Sequence, residues 1–129
     1  HIANVMFRHD APKLAAIVDW ELATIGDPLL DLGALSASWP DAEGKSPLGN
    51  TTGVMSGLPS IPEMITHYGE RTTRNLDAVD WYVVLACYRL GIILEGTHAR
   101  ACSGRAPKAI GDMLHATTLG LFRRALSFI

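Results

Sequence analysis

Ile17-Val18-Asp19-Trp20-Glu21, followed after four residues by Gly26-Asp27-Pro28-Leu29-Leu30-Asp31-Leu32-Gly33, is the stretch whose reading decides the fold. Asp27 is a helix N-cap residue type and Pro28 suits the first helical position, where its missing N–H costs nothing. The helix they open is read to about Trp39, before Pro40. Its interior, Leu29, Leu30, Leu32 and Leu35, is apolar nearly all round and predicts burial. Upstream, Asn4-Val5-Met6-Phe7 and Leu14 to Val18 read as two short strands. Arg8 to Lys13, with Asp10 and Pro12, reads as the turn between them. The pair makes a β-hairpin with Asn4 at its start and Asp19 at its end.

Downstream, Asp41 to Pro59 is rich in Gly, Ser, Pro and Thr and reads as a long loop. Ser60-Ile61-Pro62-Glu63 is a capping box with a proline inside it, opening a helix to about Thr72. The strongest helix is read from about Ala78 to Arg100, with Trp81, Leu85, Tyr88, Ile92 and Glu95 along one face. A loop over Ala101 to Ala106 precedes a last helix from Pro107 to the C-terminus, carrying Met113, Leu114, Leu119, Leu121, Phe122 and Leu126. The fold class is therefore mainly α (α+β), one β-hairpin followed by about four helices.

The chain has 129 residues, 48% hydrophobic and 19% charged, which suits one packed domain or part of one. A net charge of −2 gives no basic excess for nucleic acid or an anionic membrane. The apolar run Tyr82 to Tyr88 ends at Arg89, too short to span a bilayer. No signal peptide is visible, and Cys87 and Cys102 read as free thiols of a reducing compartment, so a cytoplasmic location is expected. His1, His9, His67, His98 and His115 are scattered and form no zinc signature. The chain opens with His1, which reads as a fragment or a processed chain.

The chemistry is concentrated at the start. Mg²⁺ takes oxygen ligands in near-octahedral geometry, usually one or two protein groups plus phosphate oxygens and water. Asn4 offers a neutral amide oxygen and Asp19 a charged carboxylate, at the base of adjacent strands. Such a pair suits phosphoryl transfer, in which metal neutralises charge on the phosphoryl oxygens. Either residue alone would read as a turn residue; the Gly-Asp-Pro helix start behind them favours the site.

These residues resemble the C-terminal lobe of the aminoglycoside phosphotransferase and choline kinase-like family, which has the protein-kinase-like fold. The family's catalytic segment reads His-Gly-Asp, four residues, then Asn, matched here by Asn4. Its metal aspartate lies in Ile-Asp-Trp-Glu, matched by Asp19. The family's Gly-Asp-Pro and Asp-Leu pairs further along are matched by Gly26-Asp27-Pro28 and Asp31-Leu32. Tyr88-Arg89-Leu90, Gly96 and His98-Ala99-Arg100 resemble the subgroup of kinase-like domains fused to acyl-CoA dehydrogenases. The resemblance implies a partial lobe over residues 1–129, with ATP and Mg²⁺ as cofactors. The acceptor would be a small-molecule hydroxyl, within which a hydroxyacyl-CoA-type substrate is expected. No residue of the chain matches the catalytic base: that aspartate would lie two residues before His1. The small N-terminal lobe and the nucleotide-clamping lysine are likewise unmatched, so these residues alone are expected to be inactive.

Other residues divide between structure and site. Asp27 reads as the cap, and Asp31, costly to bury unpaired, is implied by the resemblance to hold the catalytic-loop backbone. Glu21 either touches a second metal or faces water. Arg89, in a mostly apolar helix, is expected to be buried with a partner such as Glu95, with substrate binding as the other option. Trp39, Trp81 and Tyr88 are candidates for an acceptor pocket, although aromatics at helical spacing usually belong to a core. Arg100, Arg105 and Lys108 could grip an anionic group but read as a helix-end cation and solvated neighbours. The rival function is a non-catalytic helical module for interaction or oligomerisation. Val5, Phe7, Ile17 and Trp20 are expected to be apolar and exposed at the N-terminal edge, where a second copy could cover them as a homodimer.

Overall fold

A computed structural model describes residues 4–21, 23–49 and 57–129. It contains one antiparallel hairpin, β1 (Val5–Phe7) and β2 (Leu14–Ile17), then α1 (Leu29–Ser38), α2 (Ile61–Gly69), α3 (Val79–Cys102) and α4 (Lys108–Leu126). This is the element order read from the sequence. Helix ends differ from that reading by one to three residues, the range over which terminal turns fray. The long loop over 41–59 falls partly outside the described residues.

In the hairpin Val5 pairs with Ile17 and Met6 with Ala16, and a register shift after Met6 sets Phe7 opposite Leu14. The start of α1 is held as expected: Asp27 Oδ1 accepts the Leu29 N–H at 2.9 Å. At α2 both halves of the capping box form, with the Ser60 N–H donating to Glu63 Oε2 at 2.7 Å.

The core is three-layered in helices, with α3 between α1 and α4. Leu29, Leu32 and Ala37 of α1, Val79, Val83 and Cys87 of α3, and Leu121 and Ala125 of α4 form it. Ile65, Tyr68 and Leu76 add the edge of α2 and its following turn. Small residues let the backbones approach. A Cβ on Gly33 would stand 2.6 Å from the carbonyl carbon and oxygen of Tyr82. A Cβ on Gly91 would stand 2.6 Å from the Phe122 ring.

Two expectations are corrected here. The face of α3 carrying Trp81, Tyr88 and Ile92 is the outer one: these side chains are 60%, 56% and 50% exposed. The helix is apolar on most sides, so composition cannot choose its buried stripe; the small residues Cys87 and Gly91 choose it, because they admit the neighbouring helices closely. Arg89 also lies on the outer face, exposed, and makes no hydrogen bond or ion pair among the described residues. The half-buried arginine is Arg124. Its Nη1 donates to the carbonyls of Ser36 at 3.3 Å, Ala37 at 3.0 Å and Trp39. These include carbonyls of the last turn of α1, which has no basic side chain of its own. Burial pushes the Arg124 guanidinium pKa down, and the Asp41 carboxylate opposes that shift.

The close crossing gives a direct test. Gly33→Ala should lower stability by about 1–3 kcal/mol, since backbone atoms cannot move aside as a flexible side chain can. Gly96 of α3 faces open space, so Gly96→Ala should raise stability by about 0.5–1 kcal/mol. Urea unfolding midpoints measure both, and an unchanged midpoint for Gly33→Ala would refute the backbone contact.

Candidate functional site

The end of the hairpin is built by a sharp reversal at Asp19. Beyond the ladder the Val18 N–H still donates to the Asn4 carbonyl at 2.9 Å. The next residue, Asp19, has φ +65°, the one non-glycine residue with positive φ among those described. Asp and Asn adopt this left-handed conformation more readily than other side chains, and a β-branched residue there would be strained. The reversal swings the carboxylate back across the hairpin, where Asn4 Nδ2 donates to Asp19 Oδ2 at 3.1 Å. Trp20 turns the other way, its Nε1–H donating to the Ile17 carbonyl at 2.7 Å.

Asn4 and Asp19 therefore share one face, as expected from their places on adjacent strands. The separation also has a meaning for a small hard cation. Two oxygens on adjacent vertices around Mg²⁺, each at about 2.1 Å, are roughly 3 Å apart. Turning the Asn4 amide about its Cβ–Cγ bond sets Oδ1 beside Asp19 Oδ2 at a similar separation. The pair fits two adjacent ligand positions, leaving the others open.

The remaining candidates do not converge on this pair. Asp27 is engaged at the start of α1, and its carboxylate acts together with burial to raise the Tyr82 hydroxyl pKa. Tyr82 thus packs its backbone on Gly33 and its hydroxyl near the cap of the same helix. Asp31 is exposed, without a side-chain hydrogen bond among the described residues, so the cost of burying it does not arise within this chain. Glu21 is exposed as well. Trp39 lines a cleft at the C-terminal end of α1 with Leu58, Ile61 and Phe128, and its Nε1–H donates to the Pro59 carbonyl at 2.8 Å. Trp81 and Tyr88 are not among the residues that line it.

Sequence reasoning missed a second polar cluster. Glu95 and His98 of α3 meet His115 of α4, with His98 Nδ1 2.8 Å from Glu95 Oε1 and His115 Nδ1 2.9 Å from Glu95 Oε2. Glu95 and His98 are three residues apart, which puts them on one helix face. Only the packing of α4 reveals the third member.

The strain at Asp19 can be measured locally. Asp19→Asn should keep the reversal, whereas Asp19→Val should weaken it by about 1–2 kcal/mol. The Val18 amide should then exchange with solvent about 5–30 times faster in the valine variant than in the asparagine one. Equal exchange in the two variants would place the strain elsewhere.

Comparison with known proteins places this segment among phosphotransferase-like sequences. Residues 1–54, which contain the hairpin, Asp19 and α1, match the family model described as "Phosphotransferase enzyme family". Acyl-CoA dehydrogenase family member 11 of Pongo abelii is 30% identical over 105 residues, which is 78% of this chain and 13% of that protein. The Rattus norvegicus protein of the same name is 28% identical, covering 98% of this chain and 18% of the relative. Acyl-CoA dehydrogenase family member 10 of Mus musculus is 26% identical, covering 97% and 12%. The chain thus spans less than a fifth of the length of these relatives. No solved structure matches it. Hairpin and helices together have the form of a kinase-like C-terminal lobe segment, and the subgroup resemblance of Tyr88 to Arg100 points to the same relatives.

Proposed function

From a chain whose residues 1–54 match the phosphotransferase enzyme family, we propose a part in ATP- and Mg²⁺-dependent phosphorylation of a small-molecule hydroxyl, with Asn4 and Asp19 as metal ligands. The observation that carries this reading is the 3.1 Å approach of the Asn4 amide to the Asp19 carboxylate inside the matched segment. Mg²⁺ held there would offset charge on the transferred phosphoryl group. Asp19 supplies the anionic ligand and its left-handed backbone fixes the aim of the carboxylate. Asn4 supplies the neutral one after its amide turns. Asp27 sets where α1 begins, and Asp31 projects one turn further on, free to brace a neighbouring backbone segment. Glu21 stands two residues from Asp19 and could meet a second metal.

Similarity to proteins named as acyl-CoA dehydrogenase family members supports a hydroxylated acyl-CoA-type acceptor. The unpaired Cys87 and Cys102 support a reducing, cytoplasmic setting. Among the described residues no helix is long and apolar enough to cross a membrane.

Phosphotransfer by the longer protein that carries this segment tests the reading. Asp19→Ala should lower kcat at least roughly a hundredfold, the scale of several kcal/mol of metal-borne charge stabilisation. Retained activity in that variant would remove Asp19 from the metal site. The 129-residue chain by itself should turn over no ATP; turnover by it that Asp19→Ala abolishes would overturn that part of the proposal.

A second reading is favoured by the hairpin surface, where Phe7, Ile17 and Trp20 are 61%, 48% and 65% exposed. In it the chain pairs with a second copy through this N-terminal edge, as an interaction module. Light scattering should then give a dimer at tens of micromolar, and Trp20→Ser should shift it to monomer. A monomeric wild-type chain that binds no apolar dye would reject the pairing.

A further inference from the structure

The cluster between α3 and α4 has no part in the chemistry above. Glu95 Oε1 lies 2.8 Å from His98 Nδ1 and 3.1 Å from His115 Nδ1. The two imidazole rings stack with centroids 4.3 Å apart and planes inclined by 27°. All three side chains are half-buried. Hydrogen bonds from His115 and then His98 hold the Glu95 carboxyl below the usual range, so it is an anion facing two ring nitrogens. The helices that carry them are fixed against each other. Gly111 abuts Ala101, Gly91 abuts Phe122, and the buried Thr118 hydroxyl lies 3.2 Å from the Gly91 carbonyl.

We propose that Glu95, His98 and His115 form a site for a divalent transition ion of the zinc type, with water completing a tetrahedron. Zinc is bound by imidazole nitrogen and carboxylate oxygen at about 2.0–2.2 Å, so tetrahedral ligand atoms stand roughly 3.3–3.5 Å apart. The two Oε1–Nδ1 separations, 2.8 and 3.1 Å, need to open by only a few tenths of an ångström, and one ligand atom of each residue lies within 4.8 Å of the others. Such an opening is within side-chain rotation, with no helix movement. Coordination through Nδ1 leaves each neutral ring its single proton on Nε2. For His98 that N–H then faces Cys102 Sγ, 3.4 Å away, which acts as acceptor and fixes the ring. Two imidazoles make the site poor for Mg²⁺, which separates it from the oxygen pair at Asn4 and Asp19. Bound metal would join α3 to α4 near the loop that connects them.

Co²⁺ reports the site in the 129-residue chain. Titration should produce tetrahedral ligand-field absorption that saturates at one equivalent and is removed by Zn²⁺ but not by excess Mg²⁺. His115→Gln should weaken Zn²⁺ binding at least about tenfold, while His67→Gln, outside the cluster, should leave it unchanged. Sulfur-to-cobalt charge-transfer absorption in the near ultraviolet would mean a thiolate-based site and overturn the assignment, as would undiminished binding in His115→Gln. Nitrogen chemical shifts of the wild-type imidazoles supply a readout that needs no variant. Zn²⁺ should move the His98 and His115 signals and spare those of His9 and His67, and unchanged spectra at one equivalent would refute the site.

Discussion

The crossing of α1 over α3 at Gly33 governs where everything else lies. Backbone meets backbone there, because any side chain on Gly33 would occupy the space of the Tyr82 carbonyl. The axis of α1 is thereby set on the core. Its two ends are then fixed by polar contacts from different parts of the chain. Asp27 accepts the Leu29 N–H at the start, with Tyr82 beside it. Arg124 reaches across from α4 to the carbonyls at the finish. A cation at a helix C-terminus satisfies orphan carbonyls and complements the helix dipole, and half-burial strengthens the effect. One arginine therefore closes α1 and joins the first helix to the last.

The parts of the fold that could be read from the sequence are those encoded at short range. The capping box of Ser60 and Glu63, the Asp27-Pro28 helix start, the proline before α4 and the two short apolar strands all depend on residues within a few positions. Each formed as read, within the usual drift of helix ends. What could not be read depends on which helix lies against which. Trp81, Tyr88 and Ile92 repeat at helical spacing as convincingly as Val79, Val83 and Cys87 do. Nothing local favours the second set; the close passages of α1 and α4 over small residues decide it. The same ignorance pointed to Arg89 as the buried arginine and passed over Arg124. Arg89 lies in an apolar helix and suggests burial, whereas Arg124 lies beside Arg123 in a last turn and suggests solvent. Its partners are 85 to 88 residues away in sequence.

The candidate site divides in the same way. Asn4 and Asp19 were legible because the hairpin that joins them is short and its register follows from its own residues. That Asp19 would be left-handed was not legible from residue type alone, though aspartate is among the few side chains suited to it. Glu95 and His98 could be seen to share a helix face. His115, 20 residues further on, could join them only once α4 had a fixed rotation against α3.

The hairpin differs from the helices in what holds it. Its pairing bonds, the Asn4–Asp19 contact and the Trp20 bond to Ile17 are all internal to it. None of its residues belongs to the buried core, and Met6, Phe7, Leu14 and Ile17 stand about half or more exposed. An isolated two-stranded hairpin is marginal in water, so its geometry rests on local hydrogen bonds and the turn at Asp19. A positive-φ aspartate adds a cost to a weakly supported element. Such strain persists where surrounding contacts over-determine it, and here the described contacts supply little beyond the hairpin itself. The exposed apolar side chains and the strained Asp19 backbone thus lie together on this one element. Burying those side chains would supply the packing that the hairpin lacks, and it would steady the contact between Asp19 and Asn4.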